Sequence, residues 1–341
     1  MSLALLAGVQ EAQGQAGGGS AANAQGSEMS GTTATALHLG PDSSLGQLLD
    51  HPGFTGFAPL LLPWDGRSYD RALRLRDIGS LLPYHSHVEP TVVASGLNRL
   101  IDEVARGAVV FHRFYSEAEQ QADPAKANTG LFLLRGRPGA PFAVIAPGGG
   151  FAYVGAVHEG FPYAEAISQA GYNAFVLRYR TGGGGAVATE DLAAALSYVL
   201  RNAGALGVGA AGYSLWGSSA GARMAASIGS HGTAAFGGEP LPGPAAVIMA
   251  YTAHADHAAR EPPTFVVVGD EDRIAPPSAM ARRVQALSAQ GSLVQFHRYP
   301  GVGHGFGTGA GTVAEGWIGE AIAFWQAQLA TADDGKTGKA Q

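Results

Sequence analysis

The stretch Gly212-Tyr213-Ser214-Leu215-Trp216-Gly217-Ser218-Ser219-Ala220-Gly221 decides how the rest of the chain is read. An apolar, aromatic run through Trp216 predicts a buried strand, and Met224, Ala225 and Ile228 at helical spacing predict a helix from Ser219 to Ile228. Between them Gly217 and Gly221 stand two residues either side of Ser219, a G-x-S-x-G pattern. Such a pattern matters only where a strand runs through a tight turn into a helix, because that turn holds the serine in an unusual backbone conformation beside a helix N-terminus. Glycines at the flanking positions remove the Cβ atoms that would collide there. The spacing selects Ser219 over Ser218 as a nucleophile, with the Ala220 N–H placed to donate to an oxyanion. Chance turns rich in Gly and Ser are the alternative.

Outward from this point, strands and helices alternate. Strands are predicted at Val109 to Tyr115, Leu131 to Leu134, Phe142 to Ala146, Ala174 to Tyr179, Gly212 to Trp216, Ala246 to Tyr251, Thr264 to Val268 and Leu293 to His297. Helices are predicted at Gly160 to Ala170, Thr189 to Asn202, Pro277 to Ala289 and Ala314 to Leu329. An earlier one is read from Val93, Leu97, Leu100, Ile101 and Val104, with Pro90 placed to open it. Alternation of this kind reads as a mostly parallel sheet with helices on both faces, whose ligands bind beyond the C-terminal strand ends.

Three further loops at such ends carry chemistry. Pro147-Gly148-Gly149-Gly150-Phe151 follows the strand Phe142 to Ala146, and three glycines let backbone N–H groups turn to one point. Gly149 and Gly150 are the expected donors, joining Ala220 in an oxyanion hole. Phe151, Tyr153, His158 and Tyr251 are expected to line the substrate pocket, with packing roles the alternative for Tyr153 and His158. Gly269-Asp270-Glu271-Asp272 follows the strand Thr264 to Val268, and Gly303-His304-Gly305-Phe306 follows the last strand. A serine hydroxyl needs a base, and an imidazole needs a carboxylate to fix its tautomer. His304 fits the base, while Asp270, Glu271 and Asp272 compete for the carboxylate.

Composition narrows the classes. The 341 residues are 46% apolar and 14% charged, which suits a packed globule. With 21 basic and 27 acidic residues the net charge is −6, so no footprint for nucleic acid or an anionic surface is present. The absence of cysteine removes disulfides, thiolate catalysis and cysteine-bound zinc. No apolar run reaches the roughly 18 residues that span a bilayer. Leu3 to Val9 resembles a short signal core and Ala22-Asn23-Ala24 a cleavage site, yet no lysine or arginine precedes Arg67. A periplasmic or secreted protein is one expectation and a cytoplasmic one with a flexible leader the other. The expected layout is a leader at 1–40, an N-terminal and cap-like segment at 41–125, a catalytic core at 126–331 and a tail at 332–341.

On these residues the chain resembles the α/β-hydrolase superfamily, and within it esterases of the acetyl-xylan-esterase-like kind. The resemblance spans about Ala127 to Leu329 and rests on Pro147 to Phe151, His158-Glu159-Gly160, Ala174 to Arg180, Glu190 to Ala195, Gly217 to Gly221 and Gly303 to Phe306. It implies the α/β-hydrolase fold and a triad in the chain order Ser, Asp, His. It also favours Asp272, which lies three residues after Gly269 and shortly before Pro276. Pro147 stands where the lipase-like branch has histidine, which points to removal of short acyl groups, acetyl-carbohydrate esters among them.

The expected activity is therefore serine ester hydrolysis without a cofactor, on a small-molecule or carbohydrate ester, the oligomeric state being left open. A serine peptidase of the same fold is the main alternative. A metal-dependent hydrolase is a further one, since His85-Ser86-His87 and His254-Ala255-Asp256-His257 have ligand-like spacing, although Thr252 breaks the fuller motif. Residues Leu82 to His87 are expected to reach the substrate if the N-terminal segment caps the pocket.

Overall fold

The computed structural model describes residues 37–337, with side chains through residue 331. The signal-like Leu3 to Val9 and the Ala22–Ala24 motif lie outside the described residues. Eight strands form one sheet: β1 (Phe111–His112), β2 (Gly130–Leu134), β3 (Phe142–Ala146), β4 (Asn173–Arg178), β5 (Ser214–Ser218), β6 (Ala246–Ala250), β7 (Thr264–Gly269) and β8 (Val294–Tyr299). Their order is β1-β2-β4-β3-β5-β6-β7-β8, with β1, β2 and β4 paired antiparallel in turn and every other pairing parallel. Strands β2 to β7 are buried at every residue, as an interior sheet covered on both faces requires.

The predicted elements are present, most of them with shifted ends. Only Phe111–His112 of the longer run Val109 to Tyr115 pairs as a strand, because it forms the sheet edge and touches β2 alone. The helix expected from Thr189 starts at Gly184, where a glycine run hides the helical period. Helix Pro277–Ala289 has the predicted bounds, and Pro90 opens helix Pro90–Ala105 at its first turn. The last helix, Trp317–Thr337, runs into the stretch expected as a tail.

The segment expected as a cap is packed into the main core. Leu45, Leu61, Leu75, Leu97 and Leu100 are buried in one cluster with the sheet. Helix Pro90–Ala105 lies against helix Phe161–Gln169 so closely that a Cβ on Gly96 would come within 2.9 Å of the Phe161 Cβ. From this layer the loop carrying Tyr84 and His85 reaches behind the C-terminal edge of the sheet.

Candidate active site

Ser219 follows the last residue of β5 and stands at the N-cap of helix Ala220–His231 with φ 50° and ψ −112°, a conformation L-residues rarely adopt. The turn needs its glycines, because a Cβ on Gly221 would lie 1.8 Å from the Ala146 carbonyl oxygen and one on Gly217 2.3 Å from that of Gly221. The Ser219 hydroxyl makes no capping bond to the helix. It lies instead 2.9 Å from His304 Nε2.

His304 Nδ1 is 2.7 Å from Asp272 Oδ2, and the two side chains are 5% and 0% exposed. The other carboxylate oxygen, Oδ1, accepts the N–H groups of Ile274 at 2.9 Å and Ala275 at 2.7 Å, which fixes its plane. Asp270 is taken by Arg298 at 2.8 Å, so of the three acidic candidates Asp272 is the one beside the imidazole. Ser219, Asp272 and His304 thus meet at the C-terminal edge, carried by the loops after β5, β7 and β8.

The glycine triplet follows β3. Gly149 has φ 131° and Gly150 φ 63°, values that a side chain would strain. Among the described residues no protein acceptor takes the N–H groups of Gly149, Gly150 or Ala220. The Gly148 N–H, in contrast, donates to Glu159 Oε2. Tyr84 covers the loop from outside, near enough that a Cβ on Gly150 would meet its ring at 2.9 Å.

Glu159 belongs to a layer directly behind the site. A single buried π-helical turn, Ala156–Gly160, turns both His158 and Glu159 inward. Glu159 Oε1 accepts the Tyr251 hydroxyl at 2.7 Å and lies 2.9 Å from His85 Nε2, with His85 2% and Glu159 0% exposed. His85 Nδ1 is 2.9 Å from the Tyr153 hydroxyl, which also accepts the Tyr84 N–H at 3.1 Å. Tyr163 continues the chain, 3.0 Å from the Tyr251 hydroxyl and accepting from Ser218 Oγ at 3.2 Å. Burial by itself would raise the Glu159 pKa, but the His85 and His158 rings and the donors around it hold the carboxyl at about 2. Burial and the His85 ring lower His158 to about 4, leaving it neutral, with Nε2 2.9 Å from the Gly305 carbonyl oxygen.

The expected pocket residues therefore separate. Tyr153, His158 and Tyr251 are buried with their polar atoms given to protein partners, and Tyr251 packs edge-on against the His304 ring at 5.2 Å. Phe151, in contrast, lines a cavity. His85, from the stretch expected to reach the substrate, gives its ring nitrogens to Glu159 and Tyr153. In the sequence Glu159 stands out only within His158-Glu159-Gly160, since an isolated acidic residue gives no sign of being buried. Members of the two histidine clusters meet separate partners: His85 lies on Glu159, Asp256 on His231 at 2.7 Å and His257 near Gln290 at 3.3 Å. Among the described residues no three His, Asp or Glu side chains converge in a way that could hold a metal ion, and no helix is long and apolar enough to cross a membrane.

The sheet order and the loops at its C-terminal edge are those of the α/β-hydrolase fold. Residues 243–331 match the prolyl oligopeptidase family, a stretch that includes Asp272 and His304. The structure is similar to an α/β-hydrolase enzyme from a Medee basin deep-sea metagenome library, with 25% identity over 59% of this chain and 93% of that one and a TM-score of 0.50. It is also similar to an acetyl ester-xyloside bifunctional hydrolase from Caldicellulosiruptor lactoaceticus, with 18% identity over 64% and 95% of the two chains and a TM-score of 0.55. At that identity the second likeness is one of fold. No protein of curated function matches the chain.

Proposed function

We propose that the protein is a serine esterase that removes short acyl groups through an acyl-enzyme on Ser219, acetylated carbohydrates being one substrate class. The observation that carries this reading is the unbroken run from Asp272 through His304 to a half-buried Ser219 hydroxyl, at 2.7 and 2.9 Å. In it, His304 Nε2 takes the proton of Ser219 as Oγ attacks the acyl carbon. The oxyanion rests on the N–H of Ala220 and that of Gly149 or Gly150. The imidazolium returns its proton to the leaving alkoxide, and a water activated by the same nitrogen then releases the acid and frees Ser219. Glu159, by holding the Gly148 N–H, sets the direction in which the next two N–H groups point.

Purified protein assayed on aryl acetate, butyrate and octanoate should turn over the shorter esters faster, and Ser219→Ala should abolish turnover without unfolding the chain. Acetate released from acetylated xylan would support the carbohydrate class, and its absence beside rapid aryl acetate turnover would remove that class. The family match over residues 243–331 favours a second reading, a serine peptidase. Cleavage of a prolyl p-nitroanilide peptide faster than any ester would put it first.

A further inference from the structure

Beside the nucleophile lies a cavity of about 300 Å³ lined by Phe151, Thr189, Arg223, Ser227, Phe236 and His254, within the lower range of ligand pockets. Its lining is adjacent in the chain to both halves of the site. Phe151 is the residue after Gly150, and Arg223 is one helical turn beyond Ser219, its N–H on the Ser219 carbonyl oxygen at 3.3 Å.

Three polar groups of this cavity, those of Arg223, Ser227 and His254, are unspent among the described residues. Arg223 is exposed, its guanidinium stands 5.9 Å over the Phe151 ring, and among the described residues no carboxylate pairs with it. The contrast with Arg283 nearby is direct, since Arg283 is buried and bound to Glu261 at 3.0 Å. His254 is 9% exposed, and its Nε2 is buried with no hydrogen-bond partner. A buried ring nitrogen left empty is costly unless something occupies it. Burial, with Arg283 and Arg223 close by, lowers His254 to about 4, so near neutral pH it offers a hydrogen bond and no charge. Thr189 already donates to the Gly185 carbonyl oxygen, whereas no partner for the Ser227 hydroxyl is found among the described residues.

One unpaired guanidinium, one hydroxyl and one neutral imidazole, between the rings of Phe151 and Phe236, match a single planar anion on a short apolar body. In a chain of net charge −6, a bare cation at the site also offsets the general repulsion of anionic substrates. We infer that Arg223, Ser227 and His254 form a carboxylate-binding subsite, and that the preferred substrates of the proposed esterase are esters carrying a carboxylate on the acyl or the alcohol side. This rests on the serine esterase reading for its use and on the cavity for its existence.

Two matched pairs separate the sources of the carboxylate: p-nitrophenyl hemisuccinate against p-nitrophenyl butyrate for the acyl side, and 4-acetoxybenzoate against 4-acetoxybenzamide for the alcohol side. In one pair the charged ester should have the higher kcat/KM. Arg223→Gln should lower the charged-to-neutral ratio of that pair about 10- to 100-fold, Arg223→Lys by less. A wild-type preference for the neutral member in both pairs, or a ratio that Arg223→Gln leaves unchanged, overturns the subsite. Benzoate and succinate binding measured by calorimetry reads the same site without turnover. If every ester is inert, loss of that binding in Arg223→Gln still upholds the subsite while the esterase reading fails, and equal binding by both proteins overturns it.

Discussion

Among the described residues two buried histidine–carboxylate pairs stand within this fold, and their second ring nitrogens meet different groups. His304 and Asp272 are 2.7 Å apart and His85 and Glu159 2.9 Å, and all four side chains are almost fully buried. The difference lies in the third group. His304 turns its free nitrogen to the hydroxyl of Ser219, which a substrate can reach, whereas His85 turns its own to Tyr153, which is closed off. A buried pair by itself does not make a catalytic site. What distinguishes the first is an outlet to solvent and a strained turn that presents it.

The largest effect that can break this comparison is at the outlet. Ser219→Ala should reduce kcat by about a million-fold, as in serine hydrolases that lose the nucleophile, and Asp272→Asn by about ten thousand-fold. Circular dichroism should show both variants folded. Residual turnover near the wild-type level in either would dissolve the distinction.

Glu159→Gln comes next. Gln keeps one acceptor but breaks a buried charged cluster, so unfolding free energy should fall by about 3 kcal/mol. If the carboxylate also sets the glycine loop, kcat should fall about 100-fold with little change in KM, the scale of one misplaced oxyanion donor. Lost stability with unchanged kcat in the remaining folded enzyme would make the second pair purely structural. Tyr251→Phe removes one donor from the same carboxylate and should cost about 2 kcal/mol by denaturant titration.

A further effect is in the pH dependence. His158 titrates at about 4 when folded and near its ordinary value when unfolded. Between those values the unfolded chain binds more protons, so stability should decline as pH falls from about 6.5 to about 4. The Glu159 contribution has its own window: it is present above about 4.5 and lost as pH falls toward 2. Replacing His158 with Gln should flatten the upper part of the curve, and an unchanged slope there would show that other groups set it.

The difference between the pairs also explains what could be read in advance. Ser219, Asp272 and His304 each lie in a loop just after a strand, with glycines at fixed offsets, so local pattern marks them before any contact is known. Nothing local marks His85 and Glu159. His85 lies in a segment expected to face the substrate, and it is drawn inward by a carboxylate 74 positions further on in the sequence. Tyr153 and Tyr251 show the same limit, since burial of their hydroxyls depends on which donors and acceptors other elements bring.

The sequence alone determined the alternation of strands and helices, the turn at Ser219 and the loops that follow β3, β5, β7 and β8, because periodicity and glycine placement act over a few residues. Tertiary structure decided which carboxylate faces His304, that leucines of the segment 41–125 join the core, and that Arg223 and His254 share one cavity. These are matters of burial and of pairing between distant side chains, and a polar residue carries no local sign of the partner that will neutralise it.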